Sequence, residues 1–161
     1  MIQYCITAIP EVISNKVRAT LVSPQYGHPA QVALATSYGP CRSCLKTFYK
    51  GEENRILFTY NPFEGLDALP SPGPIFIHEK DCPRYEGTTF PLELRSLPLF
   101  FEGYGQEGVI LERERIVSEK IEEVIDRFFL NTAVEYINIR NAEAGCFIAR
   151  IDRNNSESLS A

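Results

Sequence analysis

No stretch of this chain stays apolar for long. Leu97–Phe101, "LPLFF", is among its densest runs and is far too short to span a bilayer. A membrane-crossing helix is therefore not expected. The opening residues, "MIQYCITAIP", put no basic segment ahead of a long apolar stretch, so the chain reads as one without a secretory leader and is expected in the cytoplasm. A basic excess is missing too. The net charge is −5, and the charged segment "LERERIVSEKIEEVIDR" mixes both signs. Backbone binding to nucleic acid needs clustered Lys and Arg that displace counterions. Nucleic acid and anionic membranes are therefore not expected partners. The five cysteines, at positions 5, 41, 44, 82 and 146, cannot all pair within one chain. In a reducing compartment such an odd set argues for thiols that are buried, metal-liganding or reactive rather than for a disulfide framework.

No internal repeat and no linker divides the 161 residues, of which 44% are hydrophobic and 23% charged. That length and composition suit one domain, expected over residues 1–153, with 154–161 a disordered polar tail.

The local patterns predict short strands and two helices. Ile2–Ile6 alternates and reads as a strand. Pro10 suits a first helical turn, and Ile9, Ile13 and Val17 recur every fourth residue, which predicts a helix from Pro10 to Leu21. Strands are expected at Gln31–Thr36, Arg55–Tyr60 and, centrally placed, Ile75–His78, with a Pro-rich loop over Asn61–Pro74. Leu97–Phe101 and Val109–Glu112 read as two more strands across "EGYGQEG". Ser118 is expected to cap a second helix, whose Ile121, Val124, Ile125, Phe128 and Phe129 form one apolar face. Val134–Arg140 and Cys146–Asp152 read as a hairpin. Pairing Arg140 with Cys146 keeps Ile137, Ile139, Phe147, Ala149 and Ile151 on one face. It is expected in preference to a four-residue loop ending at Gly145, which would pair Asn141 with Cys146 and mix the faces. The expected class is α+β: a mostly antiparallel sheet packed by two helices in a single domain.

Three segments carry a resemblance: "GPCRSCL" (Gly39–Leu45), "GPIFIHEKDCPRY" (Gly73–Tyr85) and "NAEAGCFIARIDR" (Asn141–Arg153). In order and spacing they resemble the small bacterial proteins of domain-of-unknown-function family 1203. The resemblance implies membership and no activity, cofactor or catalytic residue. Its pattern also differs from this chain, having histidine near Asn138 or Arg140 and a first motif fixed more by Pro40, Cys41 and Arg42 than by Cys44.

Three kinds of chemistry are open to these residues. Cys41-x-x-Cys44 with His78-x-x-x-Cys82 supplies four donors soft enough for zinc, in two closely spaced pairs. Burial is the competing reading, since free cysteine is among the most buried residue types. Alternatively, Cys41 or Cys146 is a catalytic nucleophile with His78 as its base, Arg42 and Lys46 flanking Cys41. Third, Arg42, Tyr60, Arg84, Asn138, Arg140 and Arg150 line a site for a small polar or anionic ligand, to which guanidinium forks are suited. A thioredoxin-type redox pair is disfavoured, because no helix is expected after Cys44. "EGYGQEG" lacks the spacing and the strand–turn–helix context of a phosphate loop.

Overall fold

Alternation along the chain sets up two antiparallel sheets rather than one. The computed structural model describes residues 2–63 and 73–154. Most of the expected Pro-rich loop and nearly all of the expected tail lie outside these residues. In chain order the elements are β1 (Tyr4–Thr7), α1 (Glu11–Thr20), β2 (Gln31–Leu34), β3 (Asn54–Tyr60), β4 (Gly73–His78) and β5 (Glu86–Gly87). They continue with β6 (Leu99–Tyr104), β7 (Ile110–Ile116), α2 (Ile121–Leu130), β8 (Tyr136–Asn141) and β9 (Phe147–Arg153). The larger sheet has the order β5-β1-β9-β8-β6-β7, and the smaller has β2-β3-β4. Every pairing is antiparallel. This is an α+β fold, as its composition and patterning predicted. Among the described residues no helix is long and apolar enough to cross a membrane.

Helix α2 covers one face of the larger sheet. Its Ile121, Val124, Ile125, Phe128 and Phe129 are all buried against Leu99, Phe101, Ile137 and Ile139. Each such side chain contributes about 1.5–3 kcal/mol by leaving water. Ser118 does not cap this helix. It opens a 3₁₀ turn over Ser118–Lys120, and no side chain caps the helix. Helix α1 starts after Pro10 and ends at Leu21, which adopts a left-handed conformation with φ of 53°. Its Val17, with Ile9 just upstream, joins a second apolar cluster with Ile56, Phe58, Ile75 and Ile77 of the smaller sheet.

Three further expectations change. The central strand of the smaller sheet is β3, not β4. The outer side of β4 is instead met by a loop, since Arg42 N–H donates to the Phe76 carbonyl at 3.0 Å. Strand β6 runs into the glycine-rich connection, because Gly103 and Tyr104 pair within the sheet, while β7 starts at Ile110 and continues to Ile116, past its expected end at Glu112. In the last hairpin, Arg140 faces Phe147 rather than Cys146, and Ile139 faces Ala149. A bulge between Ile139 and Arg140 accommodates an extra residue in β9. It leaves Ile137, Ile139, Ala149 and Ile151 in the α2 core, adds Ile148, and turns Phe147 into the second cluster.

Candidate metal centre

The turn Cys41–Leu45 is built from its backbone outward. Leu45 N–H closes it on the Cys41 carbonyl at 2.9 Å, and Leu45 takes a left-handed φ of 60°. A non-glycine residue in that conformation costs about 1–2 kcal/mol, so the surrounding structure must hold it there. It does so by stitching the turn on three sides. Arg42 N–H reaches β4, Ile9 N–H donates to the Arg42 carbonyl at 3.2 Å, and Tyr85 N–H donates to the Ser43 carbonyl at 2.8 Å. Just before the turn, Gly39 has φ of 69°, and a Cβ there would stand 2.5 Å from the Phe48 ring. The close approach lets Phe48 sit edge-on to the His78 ring, with centroids 4.7 Å apart.

Strand β4 ends at His78, and the chain turns back so that Cys82 meets the same turn. The Sγ atoms of Cys41 and Cys82 are 3.8 Å apart, and Cys44 Sγ is 3.4 Å from His78 Nδ1. The donor atoms of all four residues lie within 4.8 Å of one another. Such a cluster can hold a metal ion. Cys41 is fully buried and Cys44 nearly so, whereas Cys82 is partly exposed.

Surrounding groups orient these donors and favour negative charge on sulfur. Ser43 N–H and His78 N–H each point at Cys41 Sγ at 3.4 Å. From α1, Arg18 Nη2 donates to Cys82 Sγ at 3.1 Å, while its Nε donates to the His78 carbonyl at 3.1 Å. The far ring nitrogen of His78, Nε2, meets the Glu53 carboxylate at 3.3 Å. Glu53 is itself fixed by the Tyr49 N–H at 2.6 Å. A carboxylate on the second ring nitrogen fixes the tautomer that leaves Nδ1 free to ligate.

In the metal-free cluster the thiols share their protons unequally. Hydrogen bonds from Cys41 and Cys44 hold the Cys82 thiol well below its ordinary value. Hydrogen bonds to Cys41 and Cys82, together with burial, push the Cys44 thiol up. Burial acts to lower the His78 imidazole. Hydrogen bonds to Cys41 and Cys82 and the charge of Glu53 outweigh it, and His78 is raised to about 10.

The other candidates separate. Arg42 is 4% exposed, and its guanidinium donates to the Phe147 and Pro40 carbonyls, both at 2.7 Å. It is a buried strut between the sheets, not an open ligand-binding fork. Arg140 is held by Glu102 and donates to the Gly145 carbonyl at 3.1 Å, and Asn138 is buried at 1% exposure. Tyr60, Arg84 and Arg150 do converge, lining a cavity of about 510 Å³ with Phe63, Tyr136 and Asp152. Cys146 stands outside the four-residue cluster, its thiol 3.9 Å from the Ala144 carbonyl.

Two groups beside the cluster, Arg18 and Glu53, were not anticipated from the sequence. Each comes from an element distant in sequence, and neither residue type was scarce enough to single out.

Searches of curated proteins and of solved structures return no match to this chain. A family model described as "Protein of unknown function (DUF1203)" matches residues 39–153. That span begins two residues before Cys41 and takes in every member of the cluster. The chain belongs to the DUF1203 family.

Proposed function

We propose that this is a zinc-holding protein, with Cys41, Cys44, His78 and Cys82 as a closed set of ligands, and that it works in the reducing cytoplasm as a single domain over residues 1–153. The observation that carries the reading is a pair of donor–donor separations. Zn–S bonds of ~2.3 Å and Zn–N bonds of ~2.0–2.1 Å at tetrahedral angles separate two sulfurs by about 3.8 Å and a sulfur from a nitrogen by about 3.5 Å. Cys41 to Cys82 is 3.8 Å and Cys44 to His78 is 3.4 Å. The widest spacing in the set, within 4.8 Å, needs about an ångström of contraction to close.

Charge supports it independently. Three thiolates and one neutral imidazole around a divalent ion leave a net charge of about −1. Arg18 already donates to Cys82, and Arg42 is buried next to Cys41. Among the described residues no carboxylate forms an ion pair with Arg42, and burial lowers its guanidinium to about 10. A buried cation without an acidic partner fits beside an anionic centre. Four protein ligands leave no open position, so the zinc is structural, fastening the Cys41 turn to the end of β4. Protein isolated without added metal should carry about one equivalent of zinc, and chelation should lower its Tm. Metal-free protein with an unchanged Tm in chelator would refute the assignment.

Of the nucleophiles expected to act with His78, Cys41 is 0% exposed and Cys146 lies outside the cluster, which leaves Cys44 as the thiol that meets His78 Nδ1. Cys44, however, is only 7% exposed. The small cavity beside His78, about 220 Å³, is lined by Glu53 and Glu79 and does not reach a thiol of the cluster. Binding of a small polar ligand in the cavity shared by Tyr60, Arg84 and Arg150 is the second reading. It rests on the convergence of those three side chains, and a thermal-shift screen of small acids and phosphates tests it.

A further inference from the structure

The four ligands are not equally reachable. Cys41 is 0% exposed and Cys44 7%, both inside the apolar cluster beneath the smaller sheet. Among the three thiols only Cys82 lines a described cleft, of about 550 Å³, whose other walls are Glu11, Asp81, Pro83, Arg84 and Glu86. Three carboxylates against Arg84 on the walls and Arg18 at the sulfur, where it also pairs with Asp81, leave that cleft net negative, which disfavours anions and admits small uncharged reagents. The sulfur on its wall accepts a hydrogen bond from Arg18 at 3.1 Å, and it has a second sulfur, Cys41, 3.8 Å behind it. Reactive thiols are those with thiolate character, exposure and a resolving thiol close by.

We propose that Cys82 is a modification site, at which an uncharged hydroperoxide opens the zinc centre. The proposal rests on the zinc reading above. The Cys82 thiolate attacks the terminal peroxide oxygen: an S–O bond forms, the O–O bond breaks, and hydroxide or the alkoxide leaves. The sulfur is oxidised to a sulfenic acid and the peroxide reduced. Cys41 thiolate then attacks the Cys82 sulfur, forming the S–S bond and releasing the sulfenyl oxygen as hydroxide. In total two thiolates give up two electrons, and the peroxide accepts both. Cys44 and His78 are then the only donors left to the metal, too few to retain it. Reduction of the Cys41–Cys82 disulfide by a dithiol restores all four ligands.

The test uses the full chain carrying C5S and C146S, which removes the two thiols outside the cluster. Zinc content is measured first. The protein is then titrated with hydrogen peroxide while released zinc is followed with a chromogenic chelator and disulfides are mapped by mass spectrometry. The expected result is release of one zinc per Cys41–Cys82 disulfide, reversed by dithiothreitol. Brief treatment of the loaded protein with a neutral maleimide should modify Cys82 at least about tenfold faster than Cys41 or Cys44. A Cys41–Cys44 disulfide, first labelling at Cys41 or Cys44, or retention of zinc in excess peroxide would overturn the proposal while leaving the zinc assignment intact. Absence of zinc at the outset would overturn that assignment, and the disulfide and maleimide maps would still decide whether Cys82 is attacked first.

Discussion

Cys41 and Cys82 are 41 positions apart in sequence, yet their sulfur atoms stand 3.8 Å apart. Two chain segments meet there, the turn on the open side of β4 and the reversal that follows β4. Backbone hydrogen bonds bring the segments together: Arg42 N–H to Phe76 on one side and Tyr85 N–H to Ser43 on the other. The thiols therefore converge because strand β4 supplies a template for both. That convergence packs three sulfurs and an imidazole into one small volume beside two buried or half-buried arginines, an arrangement compatible with holding a divalent ion.

Glu53 should matter more than its distance from any sulfur suggests. It sets the His78 tautomer through Nε2. Replacing it by glutamine, Glu53→Gln, keeps the shape but removes the charge. Zinc affinity, measured by competition with a chromogenic chelator, should fall by about 10- to 100-fold. Equal affinity in the variant and the parent would remove Glu53 from the site.

The role of Arg42 can be separated from simple packing. Arg42→Met preserves much of the volume and deletes the cation beside Cys41. The loaded protein should lose roughly 3–5 kcal/mol in denaturant unfolding, as when one partner of a buried pair is removed. The metal-free protein, with less negative charge to balance, should lose less. Identical losses in both states would make Arg42 a purely structural link to Phe147 and Pro40.

Acid should release the metal, and the sign follows from two of the ligands. In the metal-free protein His78 is raised to about 10, and Cys44 is pushed above its ordinary value, so both hold protons at neutral pH. Metal ligation requires both to be free of them. Calorimetry in buffers of different ionisation heat should therefore show protons released on zinc binding near pH 7, with affinity rising as pH rises. For the metal-free fold the linkage runs the other way. His78 has a folded value above its unfolded 6.5, so its contribution is fully present below 6.5 and is lost as pH rises towards about 10. Zinc binding without proton release would contradict this ligand set.

What the sequence revealed depended on scarcity. With two histidines and five cysteines in the chain, Cys41-x-x-Cys44 and His78-x-x-x-Cys82 stood out by spacing alone, and the fold brings them together. Glu53 is one of 21 acidic residues, and only the approach of its turn to the end of β4 makes it special. Arg18 sits on a helix whose direction across β4 is a tertiary matter. Strong periodicity made α2 readable, because five buried residues repeat along one face. The last hairpin was misread by one principle: alternation fixes which side chains share a face but cannot see an inserted residue. The bulge at Arg140 therefore puts Phe147 opposite Arg140 and turns it into the other core, while the Cys146 carbonyl accepts from Asn141 N–H at 2.9 Å. Arg42 looked like an open guanidinium fork because burial by a neighbouring sheet leaves no local trace.

X-ray absorption at the zinc edge of the isolated protein tests the central claim most directly. The account predicts one zinc per chain with three sulfur neighbours at ~2.3 Å and one nitrogen at ~2.0–2.1 Å. A protein without zinc, or zinc surrounded mainly by oxygen and nitrogen, would contradict it.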